Sequence, residues 1–389
     1  MKNSYKKAGL AAVIACAASL SSLHAEELLV GVEVPLTGTL ARVGGGMQEG
    51  ILVAAEVFNK TNSKHKIKIV SIDDESSPAK AVAAVEKLAS QGVLAITGGY
   101  GSNNIAPASD AASKLGLAYV TSGGVDDSLV NSGHKNFFRI NNTAGYQKAM
   151  VGLLGDMKAK TVSIVYSSKE ATSSLAREVQ KTLTAQGATV SSHEFDPAIT
   201  DFKPIINKIK LQDKSEFIAM VGYENDYVGI LRAARVLKPA VKAIVGVWSL
   251  ATSKMAADFP DLMPNVYGTA FLPYPAEFKS ADGKAFNDAY QKLYQKEPDY
   301  LGQFGYVQAT LLFEAMARSA DKGTLKKNGV IDEMNKTDRQ TLIGRVKFSA
   351  NGDNPNFSHR MGQHQNGKVV IVWPKEEATG KANFPGVPW

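Results

Sequence analysis

The chain has 389 residues, of which 44% are hydrophobic and 21% are charged, and its formal net charge is +7. This length exceeds what one hydrophobic core usually serves, so we expect two lobes. The composition is that of a globular protein and excludes a disordered chain. The basic residues form no cluster, which argues against nucleic acid as a partner.

Residues 1–25 have the pattern of an export signal. Three lysines precede the apolar stretch Ala8–Leu20, and small residues lead to a plausible cleavage point after Ala25. The stretch is too short to span a bilayer comfortably. We therefore expect an exported, periplasmic protein whose net charge falls to +4 when the three lysines are removed.

The single cysteine, Cys16, lies inside this segment. The residues Val13–Cys16 resemble a lipobox, which would make Cys16 a lipidated N-terminus. The residues after Cys16 stay apolar, however, whereas a membrane tether should be polar and flexible. We favour cleavage after Ala25, which leaves a mature chain whose stability depends on core packing and not on disulfides.

In the first part of the chain, strand patterns alternate with amphipathic helix patterns. We predict strands at 28–35, 65–73, 93–96 and 117–120, and helices at 47–59, from Pro78 to before Gly92, and at 106–115. This order is typical of a parallel, doubly wound sheet.

A second series of similar size follows. We predict helices at 148–157, 175–185, 202–210 and 226–237, and strands at 161–166, 188–195, 216–221 and 243–247. Two long helices, 284–295 and 300–320, precede short strands at 345–348 and 369–374. The predicted fold class is therefore α/β, with two doubly wound parallel-sheet lobes.

Two glycine-containing loops follow the third and fourth predicted strands. The loop at 97–104 contains Tyr100, Gly101 and Ser102, and the loop at 121–125 contains Gly123, Gly124 and Val125. Ligands of open α/β sheets bind beyond the carboxyl ends of the strands. Glycine allows close approach to the backbone, and hydroxyl and N–H groups can bind an anion or a carbonyl. Helix capping by Ser102 and a turn at Gly123–Gly124 are structural alternatives that are compatible with binding.

Two aromatic residues follow strands of the second series. Tyr223 comes after the strand at 216–221, and Trp248 comes after the strand at 243–247. Aromatic residues at such positions either pack between the lobes or form the walls of a pocket. We favour pocket walls, because the mouth of a two-lobed α/β protein is a common ligand site.

Enzyme motifs are absent from the sequence. It has no Gly-x-Ser-x-Gly elbow, no His-Glu-x-x-His helix and no Walker loop. The segment Gly99–Asn104 lacks the third glycine of a dinucleotide loop. We predict a binding protein with no catalytic residue and no cofactor.

Metal and phosphate sites are not indicated either. His359 and His364 are five residues apart, on opposite faces of a strand, and we interpret them as surface or structural residues and not as metal ligands. Lys203, Lys208 and Lys210 lie on an amphipathic helix, where a solvated face is expected.

The chain resembles the branched-chain amino acid binding proteins of ABC importers, which have the type I periplasmic binding fold. The resemblance covers nearly all of the mature chain. It is carried by segments 34–38, 73–78, 102–110, 175–177, 201–202, 222–223 and 231–235.

The resemblance implies two lobes that close on a ligand, joined by three crossovers near 141–143, 272–275 and 345–348. The N-terminal lobe would comprise 26–142 plus 275–344, and the C-terminal lobe 143–272 plus 345–389. An inner-membrane ABC permease would be the partner, and the protein itself would be a monomer.

The resemblance also implies roles for individual residues. Ser102, with the loop at Gly123–Val125, would hold a ligand carboxylate and help to hold an ammonium group. Tyr223 would lie on the opposite lobe. Three positions depart from the family pattern: Val125 replaces a threonine, Ala171 begins a pair that is usually aromatic-Gly, and Trp248 aligns with the acid that binds the α-ammonium group.

These departures favour a ligand without an α-ammonium group, because a buried ammonium without an acidic partner is costly. We predict a small carboxylate with an apolar, aromatic or aliphatic body. Glu224 or Asp226 could still replace the missing acid. The alternatives are therefore a branched-chain or other neutral amino acid as ligand, or a sensor module that passes its signal to a receptor.

Overall fold

The computed structural model describes residues 25–298, 300–326 and 328–389. The predicted export signal, including Cys16, lies outside these residues except for Ala25. Among the described helices, none is long and apolar enough to cross a membrane.

Helices and strands alternate through the first part of the chain. The elements are β1 (26–34), α1 (41–61), β2 (65–73), α2 (78–90), β3 (95–98), α3 (102–114), β4 (118–121), α4 (128–131) and β5 (137–139). The five strands form one parallel sheet in the order β2-β1-β3-β4-β5.

The second series forms a seven-stranded sheet. Its elements are α5 (143–156), β6 (161–167), α6 (170–185), β7 (189–195), α7 (203–208), β8 (217–221), α8 (224–237), β9 (243–246), α9 (253–258) and β10 (267–270), joined later by β13 (360–365) and β14 (368–373). The order is β14-β13-β10-β9-β8-β6-β7, with β6 to β10 parallel and β13 and β14 antiparallel. The predicted α/β class with two sheet-based lobes is confirmed, and the antiparallel edge is an addition to it.

Three helices and a hairpin lie between β10 and β13. They are α10 (281–294), α11 (300–321), α12 (329–335), β11 (338–341) and β12 (344–347). Helix α11 packs on the first sheet, where Gln308 donates a 3.0 Å hydrogen bond to Thr97. The chain therefore passes between the two sheets after β5, after β10 and after β12. The expected crossovers at 141–143 and 272–275 lie in the first two of these segments, whereas the one at 345–348 overlaps β12. The stated lobe boundaries remain a prediction.

Helix α1 begins six residues earlier than the predicted helix, despite three consecutive glycines at 44–46. The reason is tertiary packing. A Cβ on Gly50 would lie 2.0 Å from the carbonyl oxygen of Gly302, and one on Gly305 would lie 2.1 Å from that of Met47. Burial between α1 and α11 outweighs the low helix propensity of glycine.

Helix α3 also begins early, at Ser102 instead of residue 106. Gly101, with φ of +88°, precedes it as the capping residue. The helix therefore starts directly at the end of the first glycine loop, and its first N–H groups have no partner within the helix.

Candidate ligand-binding site

A cavity lies between the two lobes, at the carboxyl ends of β3, β4, β8 and β9. Its lining residues are Tyr100, Gly101, Ser102, Ser122, Gly123, Val125, Asn141, Tyr146, Ala171, Tyr223, Trp248, Tyr300, Leu301 and Phe304. Eight of the nine residues in the sequence prediction are therefore brought together, and Gly124 is not in the lining.

The two glycine loops are tied to one another by hydrogen bonds. The Gly101 N–H donates to the Gly123 carbonyl at 3.0 Å. The Ser102 hydroxyl oxygen accepts the N–H groups of Val125 and Asp126, each at 3.2 Å. Ser102 therefore does not cap its own helix, and it joins the two loops into one rigid surface.

These bonds decide which donors remain for a ligand. The Val125 N–H is used by Ser102, and the Gly123 N–H donates to the Thr121 hydroxyl at 2.8 Å. The Ser102 oxygen accepts two bonds, which leaves its own hydrogen free to donate. The buried Ser122 hydroxyl has no hydrogen-bond partner among the described residues. Among the described residues, the donors left without a partner are thus the hydroxyls of Ser102 and Ser122 and the first two N–H groups of α3, not the loop N–H groups of the sequence prediction.

Both glycines of the second loop are required by packing within the protein. A Cβ on Gly123 would lie 1.9 Å from the Gly99 carbonyl oxygen. One on Gly124 would lie 2.6 Å from the Leu129 side chain and 3.0 Å from that of Ile105. The absence of side chains there brings the two loops together, and Gly124 faces the interior of the first lobe.

The second lobe supplies an aromatic wall. The rings of Tyr223 and Trp248 are stacked, with centroids 5.5 Å apart and planes at 19°. Trp248 has a φ of +53°, a left-handed conformation that is unfavourable for a large residue. Its indole ring meets the edge of Tyr146 at 6.1 Å. Ala171, in the first turn of α6, leaves space where a larger side chain would fill the cavity.

The lining contains no acidic or basic residue. The nearest candidates on the second lobe are engaged elsewhere. Glu224 pairs with Arg42 across the cleft at 3.1 Å, and Asp226 accepts the Tyr223 N–H at 2.8 Å. Burial raises the pKa of Asp226, which further disfavours its charged form. In this arrangement neither Glu224 nor Asp226 replaces the acid that would pair with a ligand ammonium group.

Lys169 lies behind the aromatic wall, with its amine 4.7 Å from the centre of the Tyr223 ring. Burial lowers the pKa of this lysine, while Asp226 opposes the shift. The lysine contributes a cation–π contact to the wall and is not part of the cavity lining.

Six lining residues were not predicted from the sequence: Ser122, Asn141, Tyr146, Tyr300, Leu301 and Phe304. Ser122 is adjacent to Gly123, which is a local signal, and Asn141 lies in a crossover that the family resemblance implies. Tyr146 on α5 and Tyr300 on α11 are 154 residues apart, yet their hydroxyl oxygens are 2.8 Å apart. Only the tertiary structure brings them to the cavity.

The sequence predicts that His359 and His364 are surface or structural residues. Both are structural, and neither lies on the surface. His359 lies 3.3 Å from the Ala270 carbonyl, and His364 lies 2.8 Å from the Leu250 carbonyl. Both are buried, and burial lowers the pKa of each, that of His359 to about 3. The lysines Lys203, Lys208 and Lys210 are exposed, as predicted.

Comparisons with known proteins agree with this architecture. A family model described as "Periplasmic binding protein" matches residues 27–368. A curated relative, the "Leu/Ile/Val-binding protein homolog 8" of Brucella abortus, is 25% identical over 95% of this chain and 96% of its own length.

Two solved structures share the fold. The branched-chain amino acid transporter substrate-binding protein LivJ of Streptococcus pneumoniae, in complex with isoleucine, has a TM-score of 0.78 and 24% identity over 89% of this chain and 99% of its own. A solute-binding protein of an R. palustris ABC transporter, in complex with benzoate, has a TM-score of 0.79 and 19% identity over 89% and 95%.

Proposed function

The chain belongs to the periplasmic binding protein family, and from this premise we propose that it binds a small carboxylate between its lobes. The ligand would be an aromatic or aliphatic organic acid, delivered unchanged to an ABC permease of the inner membrane. The protein would act in the periplasm as a monomer.

The observation that carries this proposal is the distribution of donors and charges around the cavity. The hydroxyls of Ser102 and Ser122 and the N-terminus of α3 provide donors for a carboxylate. The remaining lining is mostly aromatic or apolar and contains no acid for an ammonium group. A carboxylate with an uncharged body satisfies this pattern, whereas an amino acid would bury an unpaired cation.

The solved neighbours support a carboxylate, since one is in complex with isoleucine and another with benzoate. The Brucella relative is named for leucine, isoleucine and valine. A branched-chain amino acid is therefore the second candidate, and it requires a cation site that the cavity lining does not supply.

Calorimetric titration of the ligand-free protein tests the choice between an organic acid and a branched-chain amino acid as the ligand. Benzoate and 4-methylpentanoate should bind with dissociation constants near ~1 μM, which corresponds to about −8 kcal/mol, whereas leucine, valine and phenylalanine should bind more weakly. If leucine or valine binds tightly and both acids fail to bind, the proposal is wrong and Trp248 does not exclude amino acids.

The carboxylate site is tested with the serine variants. Ser102→Ala and Ser122→Ala should each weaken binding of the preferred acid by about tenfold, because each removes a hydrogen bond to a charged group. Ser109→Ala is the matched control: its hydroxyl, on the same helix, bonds the Ala106 carbonyl and does not line the cavity. Unchanged affinity in both test variants would contradict the assignment.

A further inference from the structure

A chain of hydrogen bonds runs along one side of the cavity, through Asn141, Tyr146, Tyr300 and His359. We call these four residues the acceptor wall. The Asn141 Nδ2 lies 3.3 Å from the Tyr146 hydroxyl, which lies 2.8 Å from the Tyr300 hydroxyl, which lies 2.9 Å from the His359 Nε2. Asn141, Tyr146 and Tyr300 line the cavity, and His359 lies behind them.

The direction of each hydrogen bond follows from the groups at the two ends of this series of bonds. The Ala270 carbonyl can only accept, so the His359 Nδ1 carries the hydrogen of the neutral ring. The low pKa of this buried histidine keeps the ring neutral at physiological pH. Its Nε2 must therefore accept from Tyr300, and the Tyr300 oxygen must accept from Tyr146.

Asn141 is oriented in the same way. One of its amide hydrogens donates to the Ser122 carbonyl at 2.7 Å, and the other points to the Tyr146 oxygen. A carbonyl partner requires the amide nitrogen at that position, which assigns Oδ1 to the opposite side. Asn141 Oδ1 is buried and has no hydrogen-bond partner among the described residues.

Every polar hydrogen of the acceptor wall is thus used within the protein, and only lone pairs remain for a ligand. The serine hydroxyls nearby have the opposite character, since their hydrogens remain free to donate. The cavity lining therefore contains donors for a carboxylate and, in Asn141, an acceptor without a donor among the described residues. An unpartnered buried amide oxygen is unfavourable unless the ligand supplies a hydrogen.

We propose that the ligand is a hydroxy acid, whose carboxylate binds the serines and whose hydroxyl group donates a hydrogen bond to Asn141 Oδ1. This inference rests on the proposed function and adds the second polar group of the ligand. An ammonium group could also donate, but the cavity lining has no acid to balance its charge. A neutral hydroxyl satisfies the acceptor without that cost.

Two matched series of acids test the inference by calorimetry on the full mature chain. The first series has one carbon skeleton: 2-hydroxy-4-methylpentanoate, 4-methylpentanoate, 4-methyl-2-oxopentanoate and leucine. The second compares 3- and 4-hydroxybenzoate with 3- and 4-fluorobenzoate. In the series that binds more tightly, the hydroxy acid should bind about fivefold more tightly than its analogue without a donor. The oxo acid, which brings only an acceptor, should bind more weakly still.

Tyr300→Phe provides a test within the protein. Removing the Tyr300 hydroxyl leaves the Tyr146 hydrogen without its acceptor, so this hydrogen becomes available to the cavity. The preference for the hydroxy acid should then decrease, and binding of the oxo acid should improve. Tyr306→Phe is the control, because Tyr306 lies on the same helix and its buried hydroxyl bonds Asp282 at 2.7 Å, away from the cavity.

The outcomes separate the two proposals. Equal affinity for hydroxy acids and their donor-free analogues overturns this inference and leaves the proposed function standing. Tightest binding of leucine overturns both. Failure of every acid to bind also overturns both, because no carboxylate site would then exist.

Discussion

Single residues determine the chemistry of the cavity. Trp248 occupies the position at which the resemblance implies an acid, and it stacks on Tyr223 in a left-handed backbone conformation. Such a conformation is maintained only where the surroundings enforce it. The stacked pair replaces a charged contact with an aromatic surface, and this change is the residue-level reason to expect an acid without an ammonium group.

Glu33 is a second residue with unusual chemistry, and it is not part of the cavity lining. It is fully buried, accepts a 2.6 Å hydrogen bond from Tyr119, and lies beside Asp74. Burial raises the pKa of Glu33 well above its ordinary value, and the neighbouring Asp74 raises it further. The folded protein therefore retains a proton that the unfolded chain releases at about pH 4.

Stability should consequently fall as pH rises from about 4 toward the raised pKa of Glu33, because the folded state binds more protons than the unfolded state in that window. Glu33→Gln removes this titration while keeping an amide that can donate to Asp74. We expect a flatter pH dependence of the free energy of unfolding and a more stable protein at neutral pH. Urea denaturation between pH 4 and pH 8 measures both.

Glu27→Gln is the control for this measurement, because Glu27 is exposed on the same strand. Asp74, whose pKa burial also raises, is unchanged in both variants. If the free energy of unfolding depended on pH in the same way in Glu33→Gln and in the unaltered protein, Glu33 would not be the group that causes this dependence.

At the level of elements, the strand-to-helix loops position the site. β3 and β4 are short and fully buried, and each ends in a glycine loop at the edge of the cavity. Close contact between Gly123 and Gly99 places Ser102 within hydrogen-bond distance of the second loop. The glycines thus act mainly through loop packing, and we propose that the serines beside them contact the ligand.

Gly123→Ala should destabilise the protein by about 1–3 kcal/mol, because the added Cβ would lie 1.9 Å from a carbonyl oxygen that is part of the backbone. Ligand affinity should fall as well, since the two loops must separate. Thermal unfolding and calorimetry measure these effects.

Gly45→Ala is the opposing control. Its Cβ would meet nothing within 4 Å, and the residue is helical, so this substitution should stabilise the protein by up to about 1 kcal/mol. Equal stability of the two variants would contradict the packing role of Gly123.

For the whole molecule, a cluster of ion pairs joins the two lobes across the cleft. Arg42 on α1 pairs with Glu224 on α8 at 3.1 Å and with Asp258 on α9 at 2.8 Å. Its guanidinium also lies 5.5 Å from the centre of the Phe259 ring. Arg42 is not in the cavity lining, so we expect it to influence closure of the lobes and not to contact the ligand.

Arg42→Ala should weaken ligand binding by about 2- to 10-fold, because partly exposed ion pairs contribute about 0.2–1 kcal/mol each and the closed form binds the ligand. The radius of gyration of the ligand-free protein, measured by small-angle X-ray scattering, should increase, because the two ion pairs that join the lobes are lost. Calorimetry measures the affinity.

Lys292→Ala is the matched control, since its 2.8 Å ion pair with Glu56 joins two helices on the same side of the cleft. An Arg42→Ala variant with unchanged affinity would show that these cross-cleft contacts do not influence closure.

The sequence by itself determined the α/β class, the two-lobed architecture and eight residues of the cavity lining. Most of these features depend on local signals: apolar periodicity, glycine after a strand, and an aromatic residue at a strand end. The choice of Ala171 depends on the family resemblance instead. Such signals depend on neighbours in the chain, so they can be detected without knowing the fold. The early starts of α1 and α3 could not be predicted in this way, because contacts with Gly302, Gly305 and the second loop outweigh local propensity.

Only the tertiary structure decided which polar hydrogens remain for a ligand. Ser102 uses its oxygen on the second loop, and Tyr146 gives its hydrogen to Tyr300, which is 154 residues away. The pairing of Glu224 with Arg42 likewise joins distant segments. Hydrogen-bond direction and charge pairing depend on atoms that only folding brings within about 3 Å of each other, so no local pattern records them.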